Sequence, residues 1–194
     1  MRWLFTAPLA AALAFATYWS LRLAAADHYV RRNTLDDQAA AVRLDPHNAE
    51  QRARLAEHQA AAGLDPKPSL EAAARLNPRD SSIPIRLGLR AEFEGDFARA
   101  ERHLLEAARV DRLFDPRSTL MNFYFRRARG DAFWHWAREA FAVGYGDRAP
   151  LFRLCWRMTT DADLIAGVLP AQLSVRLEYL RFLLAERRLA AAEP

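Results

Sequence analysis

Residues 81–114 have the sequence SSIPIRLGLRAEFEGDFARAERHLLEAARVDRLF, in which two apolar helical stretches flank one turn. The turn is marked by Gly95, and glycine suits a tight connection between helices. In the second stretch Ala100, Leu104 and Ala107 follow each other as a small, a large and a small residue. Small residues let two helices approach closely, and the large one fills the groove between them. The segment therefore predicts a pair of closely packed helices.

Features of this pair recur along the chain at intervals of about 34 residues. Glycines at the predicted turns are 32 and 35 residues apart, namely Gly63, Gly95 and Gly130. The ends of the second stretches also match each other: Leu44-Asp45-Pro46, Leu76-Asn77-Pro78 and Val110-Asp111-Arg112. Repeats of this length are typical of helix pairs that stack on one another and bury a continuous core.

Residues 81–114 resemble the tetratricopeptide repeat family. The resemblance rests on Leu87-Gly88 in the first helix, on Gly95-Asp96-Phe97 at the turn, and on Ala100, Leu104 and Ala107. Residues 48–78 are less similar, because their turn contains Asp-Pro-Lys-Pro and their second helix is short. Residues 116–142 also depart from the pattern, with His135 at the first small position and Asn122-Phe123 in place of the Leu-Gly pair. The resemblance implies an all-α, tetratricopeptide-like solenoid of antiparallel helix pairs.

Members of this family bind peptides on the concave surface made by the first helices. The resemblance implies contacts from two of these helices here, at Ser82, Ile85, Leu89, Arg117, Leu120 and Tyr124. The corresponding positions in the preceding pair are Glu50, Ala53 and Glu57. The family's clamp for a peptide carboxylate is not expected, because Met121 replaces one of its basic residues and Arg86 replaces its asparagine.

Aromatic residues are concentrated between positions 123 and 141. They are Phe123, Tyr124, Phe125, Phe133, Trp134, Trp136 and Phe141. Two interpretations stay open: these rings pack against the neighbouring helices, or some of them form an exposed patch. In the second case Trp134 and Trp136 contact the partner, since exposed aromatic clusters mark interaction sites.

The composition fits a helical chain with a dispersed positive charge. Of 194 residues, 52% are hydrophobic and 27% charged, and Ala, Leu and Arg favour helices. The net charge is +4, but the 28 basic residues are interleaved with 24 acidic ones, so no nucleic-acid partner is expected. The single cysteine, Cys155, excludes an internal disulfide and is expected to be a small buried hydrophobe.

The N-terminal stretch from Trp3 to Leu21 carries no charge over 19 residues. At about 1.5 Å per residue it spans roughly 28 Å, close to the thickness of a bilayer's hydrocarbon core. Tyr18 and Trp19 suit an interfacial aromatic belt. The stretch predicts an uncleaved transmembrane anchor in residues 1–26. The alternative is a signal peptide that is cleaved before Asp27, after three alanines.

The anchor predicts a single-pass protein of a bacterial inner membrane, with its remaining residues on the periplasmic side. The basic residues Arg22, Arg31 and Arg32 argue for the opposite orientation by the positive-inside rule. The expected organisation is a leading helix in residues 27–46, repeats in 47–146, and a helical extension in 147–194. The order of motifs in this extension resembles the tail of large uncharacterised bacterial repeat proteins with one membrane span.

The last apolar stripe of the chain is expected to stay uncovered. It comprises Leu173, Leu177, Leu180 and Leu184, and it is predicted to lie on the first helix of a further pair. The turn is expected at residues 187–189 and the second helix from Ala190. Phe182, Leu183, Leu184 and Leu189 are then expected to leave apolar surface uncovered. A partner chain, a second copy of this chain or a lipid surface would cover this end, or the chain is a shortened member of a longer family.

No catalytic, cofactor-binding or metal-binding residues are predicted. The five histidines show no metal-ligand spacing, and glycine-rich phosphate loops and a Gly-x-Ser-x-Gly motif are missing from the sequence. The sequence therefore favours a membrane-anchored, non-enzymatic scaffold that binds a protein partner, in cell-envelope assembly or polysaccharide export. The alternative is a fixed, non-catalytic subunit of a larger membrane complex.

Overall fold

A computed structural model describes the backbone of residues 3–187 and the side chains of residues 7–187. This part of the chain forms eleven α-helices and no strand. Their bounds are α1 Trp3–Arg32, α2 Leu35–Leu44, α3 Ala49–Ala61, α4 Lys67–Leu76, α5 Ser82–Phe93, α6 Phe97–Val110, α7 Phe114–Arg126, α8 Gly130–Val143, α9 Ala149–Met158, α10 Ala162–Val168 and α11 Leu173–Ala185. The prediction of an all-α chain is confirmed.

The helices are distributed over two compact units, divided between Pro78 and Arg79. In the first unit α1 packs on α2, α2 on α3, and α3 on α4. In the second unit α5, α6, α7 and α8 pack in sequence, α9 lies against α7 and α8, α10 against α8, and α11 against α9. The division falls within the region predicted to hold the repeats, residues 47–146.

One kind of helix end occurs after α1, α3, α5, α7 and α11. Each of these helices is followed by a residue with a positive φ angle: Asn33 (57°), Gly63 (74°), Gly95 (81°), Ala128 (52°) and Arg187 (56°). A left-handed residue directly after a helix reverses the chain tightly. The glycine turns predicted at Gly63 and Gly95 are therefore present.

A second kind of helix end occurs after α2, α4 and α6. Their capping residues Asp45, Asn77 and Asp111 have φ angles of −128°, −132° and −128°. In each case the cap N–H donates to the carbonyl four residues earlier, at Ala41, Ala73 and Ala107. Between α1 and α7 the two kinds of end alternate, so the local backbone repeats with a period of two helices.

The register predicted for α7 and α8 is wrong by two residues. Gly130 is not the turn residue but the first residue of α8, and Ala128 takes the left-handed conformation instead. Aligned on their turns, α5–α6 and α7–α8 are therefore 33 residues apart. Leu120-Met121 and Phe133, rather than Asn122-Phe123 and His135, take the places of Leu87-Gly88 and Ala100.

Close approach of α5 and α6 depends on Gly88. A Cβ atom at Gly88 would lie 2.7 Å from the Leu104 Cγ and Cδ2 atoms and 3.2 Å from the Ala100 carbonyl oxygen. Leu104 is itself fully buried, as are Ala100 and Ala107. The small, large and small residues therefore pack as the sequence predicts.

Helix α1 continues past the predicted domain boundary at residues 26 and 27. Its residue Ala26 is buried, and the Arg22 Nε donates to the Leu44 carbonyl oxygen at the end of α2, at 2.6 Å. The Gln38 amide on α2 donates to the Val30 carbonyl at 3.2 Å. The last third of α1 is thus the first helix of a packed pair, and only residues 35–44 of the predicted leading helix form a helix of their own.

Residues Ala7–Arg32 of α1 are long and apolar enough to span a membrane, and nearly all of them are exposed. A signal sequence has the same length and composition, so this property fits both predictions for the N-terminus. The Tyr18 and Trp19 rings stack edge to face at 6.1 Å, and the Arg22 guanidinium lies 5.0 Å from the Trp19 ring centre. The side chain of Trp3 lies outside the described residues, as does the helix predicted from Ala190.

Candidate functional site

A groove of about 290 Å³ lies between α5 and α7. It is lined by Ser82, Ile85, Arg86, Asp115, Ser118 and Thr119. These residues come from the first turns of two successive first helices, spaced by the repeat. The groove therefore follows from the way the pairs pack.

Short hydrogen bonds fix the polar side chains of the groove. The Asp80 carboxylate accepts from the Ser82 N–H at 3.0 Å and from its hydroxyl at 2.6 Å, which holds Ser82 at the start of α5. On α7 the hydroxyls of Ser118 and Thr119 donate to the Asp115 carbonyl at 3.1 and 2.7 Å. Their oxygens keep lone pairs with which to accept hydrogen bonds from a ligand.

Two opposite charges border the apolar Ile85 side chain. Asp115 lies in the first turn of α7, where the helix dipole favours a carboxylate, and its side chain has no ion-pair partner among the described residues. Arg86 is half-buried and supplies the positive charge. A small apolar surface beside carboxylate and hydroxyl acceptors suits a polypeptide segment, which carries N–H and apolar groups side by side.

Three of the residues predicted to contact a partner are found on α5. Ser82 and Ile85 line the groove, and Leu89 follows one helical turn later with 43% of its surface exposed. Their spacing places them on one face of α5. The sequence thus located the α5 side of the groove.

The predicted contacts on α7 need correction, because all three side chains are buried. Leu120 has no exposed surface, Tyr124 donates from its hydroxyl to the Glu101 carboxylate at 2.7 Å, and Arg117 lies 3.4 Å from the Glu139 carboxylate on α8. The register shift explains the error, since the buried face of α7 was taken for its concave face. The polar residues Asp115, Ser118 and Thr119 were missed, although their i, i+3, i+4 spacing marks a common face.

Burial and a hydrogen bond perturb the Tyr124 phenol. Its pKa lies well above the ordinary value, mainly because burial disfavours the phenolate and also because the neighbouring Glu101 carboxylate accepts its proton in a hydrogen bond. The Arg129 guanidinium, 5.3 Å from the Tyr124 ring centre, opposes this shift and binds Glu101 at 3.0 Å. Tyr124 therefore ties α7 to α6 and has no free group for a ligand.

Most of the aromatic cluster is packed in the core of the second unit. Phe123, Phe133 and Phe141 are fully buried, and the Phe141 ring stacks on Phe152 of α9 at 5.2 Å. Trp134 and Trp136 are half-buried and pack against the same core. The packing interpretation holds for the phenylalanines, whereas each tryptophan keeps part of its surface exposed.

A second cavity, of about 410 Å³, lies between α9 and α11 and was not predicted from the sequence. Asp147 and Arg181 are among its lining residues, and two ion pairs cross it: Arg148 binds Glu178 at 2.8 Å and also the Gly144 carbonyl, and Arg153 lies 3.5 Å from Glu186. Because these charges neutralise one another, they serve to hold α9 against α11. A third and smaller groove, in the first unit, has His47, Arg52 and Arg75 among its lining residues.

The thiol of Cys155 is fully buried, which confirms the prediction for this residue. Burial raises its pKa to about 12, because the thiolate is poorly solvated inside the core. Such a thiol is a poor nucleophile at neutral pH. Within the side chains that the structure describes, no cluster of three or more His, Cys, Asp or Glu residues is arranged to hold a metal ion.

Comparisons with known proteins add no relative. No known protein family matches the chain, and a search of curated proteins finds no match to it.

Proposed function

We propose that this chain is a membrane-anchored, non-enzymatic scaffold that binds a segment of a protein partner in the groove between α5 and α7. The observation that carries the proposal is the alternation of the two kinds of helix end, which spaces α5 and α7 by one repeat and leaves the groove between them. This alternation also supports the tetratricopeptide interpretation of the sequence. Proteins built from such repeats use the surface of the first helices for binding.

The packing of α1 supports an anchor that is retained. Cleavage before Asp27 would remove Ala26, which is buried, and Arg22, which caps the carbonyl end of α2. Losing both would expose the face of α2 that α1 covers. A signal peptide, by contrast, has no reason to pack on the mature domain.

Photo-crosslinking tests the groove. A benzophenone amino acid in place of Ile85 should crosslink a defined partner in native membranes, and the same amino acid in place of Leu105 should not. Leu105 is the matched control, because it is exposed on α6 outside the groove. The crosslink should be lost in Asp115→Lys, which reverses the charge of the groove. Equal crosslinking from both positions would contradict the proposal.

Analysis of the mature protein tests the anchor. The mature N-terminus should still contain Met1 or Arg2, and the protein should remain in membranes after carbonate washing. A mature chain that begins at Asp27 would show that the segment is a signal peptide.

We place the helical units on the periplasmic side of a bacterial inner membrane, in envelope assembly or polysaccharide export. A fusion of alkaline phosphatase to the C-terminus tests the orientation, because this enzyme is active only after export. An inactive fusion would place the units in the cytoplasm, as Arg22, Arg31 and Arg32 suggest by the positive-inside rule.

The exposed leucines of α11 support the second candidate, a fixed subunit of a larger membrane complex. Purification in mild detergent distinguishes the two functions. A partner that remains in constant stoichiometry through several columns favours the subunit, whereas a partner that dissociates on dilution favours the scaffold.

A further inference from the structure

Helix α11 carries an exposed apolar stripe opposite its buried face. Val175, Tyr179, Phe182 and Leu183 are buried against the core of the second unit. Leu173, Leu177, Leu180 and Leu184 are exposed, with 71, 42, 38 and 49% of their surfaces accessible. These four residues follow each other at intervals of four, three and four, which places them on one side of the helix.

One residue of the stripe, Leu180, takes a position at which a first helix packs against its second helix, whereas Leu177 takes the place of the groove residues Ile85 and Ser118. When α11 and α7 are aligned on their left-handed residues, Arg187 and Ala128, Leu180 takes the place of Met121. The same alignment with α5 gives Leu180 the place of Gly88, which touches Leu104 of α6. Met121 and Gly88 are both buried, whereas Leu180 is exposed.

Charge distinguishes α11 from α7 at the edge of this face. Arg117 of α7 lies 3.4 Å from Glu139 of α8. The aligned residue on α11 is Arg176, which is exposed and has no carboxylate partner among the described residues, and the same is true of Arg181. The leucine stripe is thus flanked on both sides by unpaired positive charges.

We propose that this face of α11 docks an amphipathic helix of a partner protein, in the way that α8 lies against α7. The docked helix carries alanine or glycine opposite Leu180, because the position aligned with Met121 is matched by the small Ala137 in α8. It also carries carboxylates that pair with Arg176 and Arg181. This surface is separate from the groove between α5 and α7, so either site can fail without the other.

A second copy of this chain fits the face less well. Two copies would bring the arginines that flank both stripes together, and like charges at such a seam repel. Binding of the face to lipid is tested separately below.

Two labelled peptides test the proposal with the full chain in nanodiscs of uncharged lipid. Both are amphipathic helices whose apolar stripe consists of alanine and leucine, with alanine at its centre; one carries glutamates along both edges and the other carries lysines. By fluorescence anisotropy the glutamate peptide should bind, and the lysine peptide should bind at least tenfold more weakly. Arg176→Glu with Arg181→Glu should reverse this preference, and Leu180→Asp should abolish binding of the glutamate peptide.

The matched control is Leu105→Asp, since Leu105 is 40% exposed on α6 and Leu180 is 38% exposed on α11. This control should bind the glutamate peptide as the unmodified chain does. Circular dichroism of each variant establishes that the helices remain folded.

Several results would overturn the proposal. Absence of binding, or equal binding of both peptides, would contradict the proposal that a partner helix docks on this face. Sedimentation that shows a dimer lost in Leu180→Asp would assign the face to a second copy, and binding to anionic vesicles lost in the same variant would assign it to lipid. Peptide binding that requires deletion of residues 188–194 would show that the chain covers the face itself.

Discussion

The pairs α5–α6 and α7–α8 have the same backbone pattern and are built from different side chains. Gly88 lies against the large Leu104 in the first pair, whereas the aligned residues in the second pair are the large Met121 and the small Ala137. In the first pair the small residue lies on the first helix and the large one on the second, and in the second pair this order is reversed. The backbone geometry therefore depends on the combined volume at a position and not on the residue type on either helix.

A second difference concerns the first turn of the second helix. Ala100 is the small residue there in α6, and the aligned residue in α8 is the fully buried Phe133. The additional volume is accommodated in the core that α7 and α8 share with α9 and α11. The second pair thus has a larger aromatic core, and the first pair depends on close approach.

The largest effect is expected from Phe133→Ala. This change leaves a cavity in the core of the second pair and should lower the free energy of unfolding by about 3–5 kcal/mol. Thermal and chemical unfolding of the chain in mild detergent measure it. The control is Phe93→Ala on α5, where the ring is 84% exposed and the expected change is below about 0.5 kcal/mol. Similar losses in both variants would contradict the assigned core.

The exchange of volumes is tested by a double-mutant cycle in the first pair. Leu104→Ala should cost about 2–5 kcal/mol through its cavity, and Gly88→Met about 1–3 kcal/mol through overpacking. The double variant recreates the Met121 and Ala137 combination. It should cost less than the two single changes together, with a favourable coupling of about 1–3 kcal/mol. Additive losses would show that the two pairs do not share one packing geometry.

The two turns predict smaller effects of opposite sign. Gly95→Ala should destabilise the fold by about 1–2 kcal/mol, because a φ of 81° is strained for alanine. No steric clash contributes, since no atom lies within 4 Å of the added Cβ. Ala128→Gly should stabilise the fold by up to about 1 kcal/mol, because glycine adopts the φ of 52° at this position without the backbone strain that alanine has there.

Gly130→Ala tests the register of the second turn. Urea unfolding measures the stability of this variant, of Gly95→Ala and of Ala128→Gly. Gly130 lies in α8, with open space around an added Cβ, so alanine should stabilise by about 0.5–1 kcal/mol through helix propensity. Destabilisation by this change would show that Gly130, and not Ala128, is the left-handed turn residue.

The smallest effect is a pH dependence from the Cys155 thiol on α9, which is buried in the core that α9 shares with the second pair. The unfolded Cys155 thiol loses its proton above a pH of about 8.5. The folded thiol keeps its proton because burial raises its pKa to about 12, so stability falls as pH rises through this window. Between pH 8 and 9.5 the unmodified chain should lose about 1 kcal/mol more than Cys155→Ala. Parallel pH profiles of unfolding would contradict the burial of the thiol.

Sequence reasoning succeeded where local chemistry determines the structure. Glycine at a left-handed turn and small residues at a close crossing have direct physical causes, so Gly63, Gly95 and the α5–α6 contacts were found. The leucine stripe of α11 was also found, because its spacing defines a face, but Phe182 and Leu183 were expected on the uncovered surface and are buried.

The errors arose where a residue accepts a conformation that its type disfavours. The left-handed conformation is unfavourable for alanine, so the sequence favoured the nearby Gly130 as the turn residue instead of Ala128. This choice shifted the predicted register of α7 and α8 by two residues. The shift then moved Leu120 and Tyr124 to the wrong side of α7. The groove residues Asp115, Ser118 and Thr119 were missed for the same reason.

Because α1 runs without a break from its apolar stretch into the pair with α2, no slack separates the two. The eleven helical residues from Arg22 to Arg32, roughly 16 Å long, are themselves the first helix of that pair, so the pair begins where the apolar stretch ends. A disordered linker of the same number of residues would have a similar mean end-to-end distance, but it would let the pair take many orientations relative to the apolar stretch. A continuous helix also transmits rotation: any tilt or rotation of the apolar stretch turns the α1–α2 pair with it.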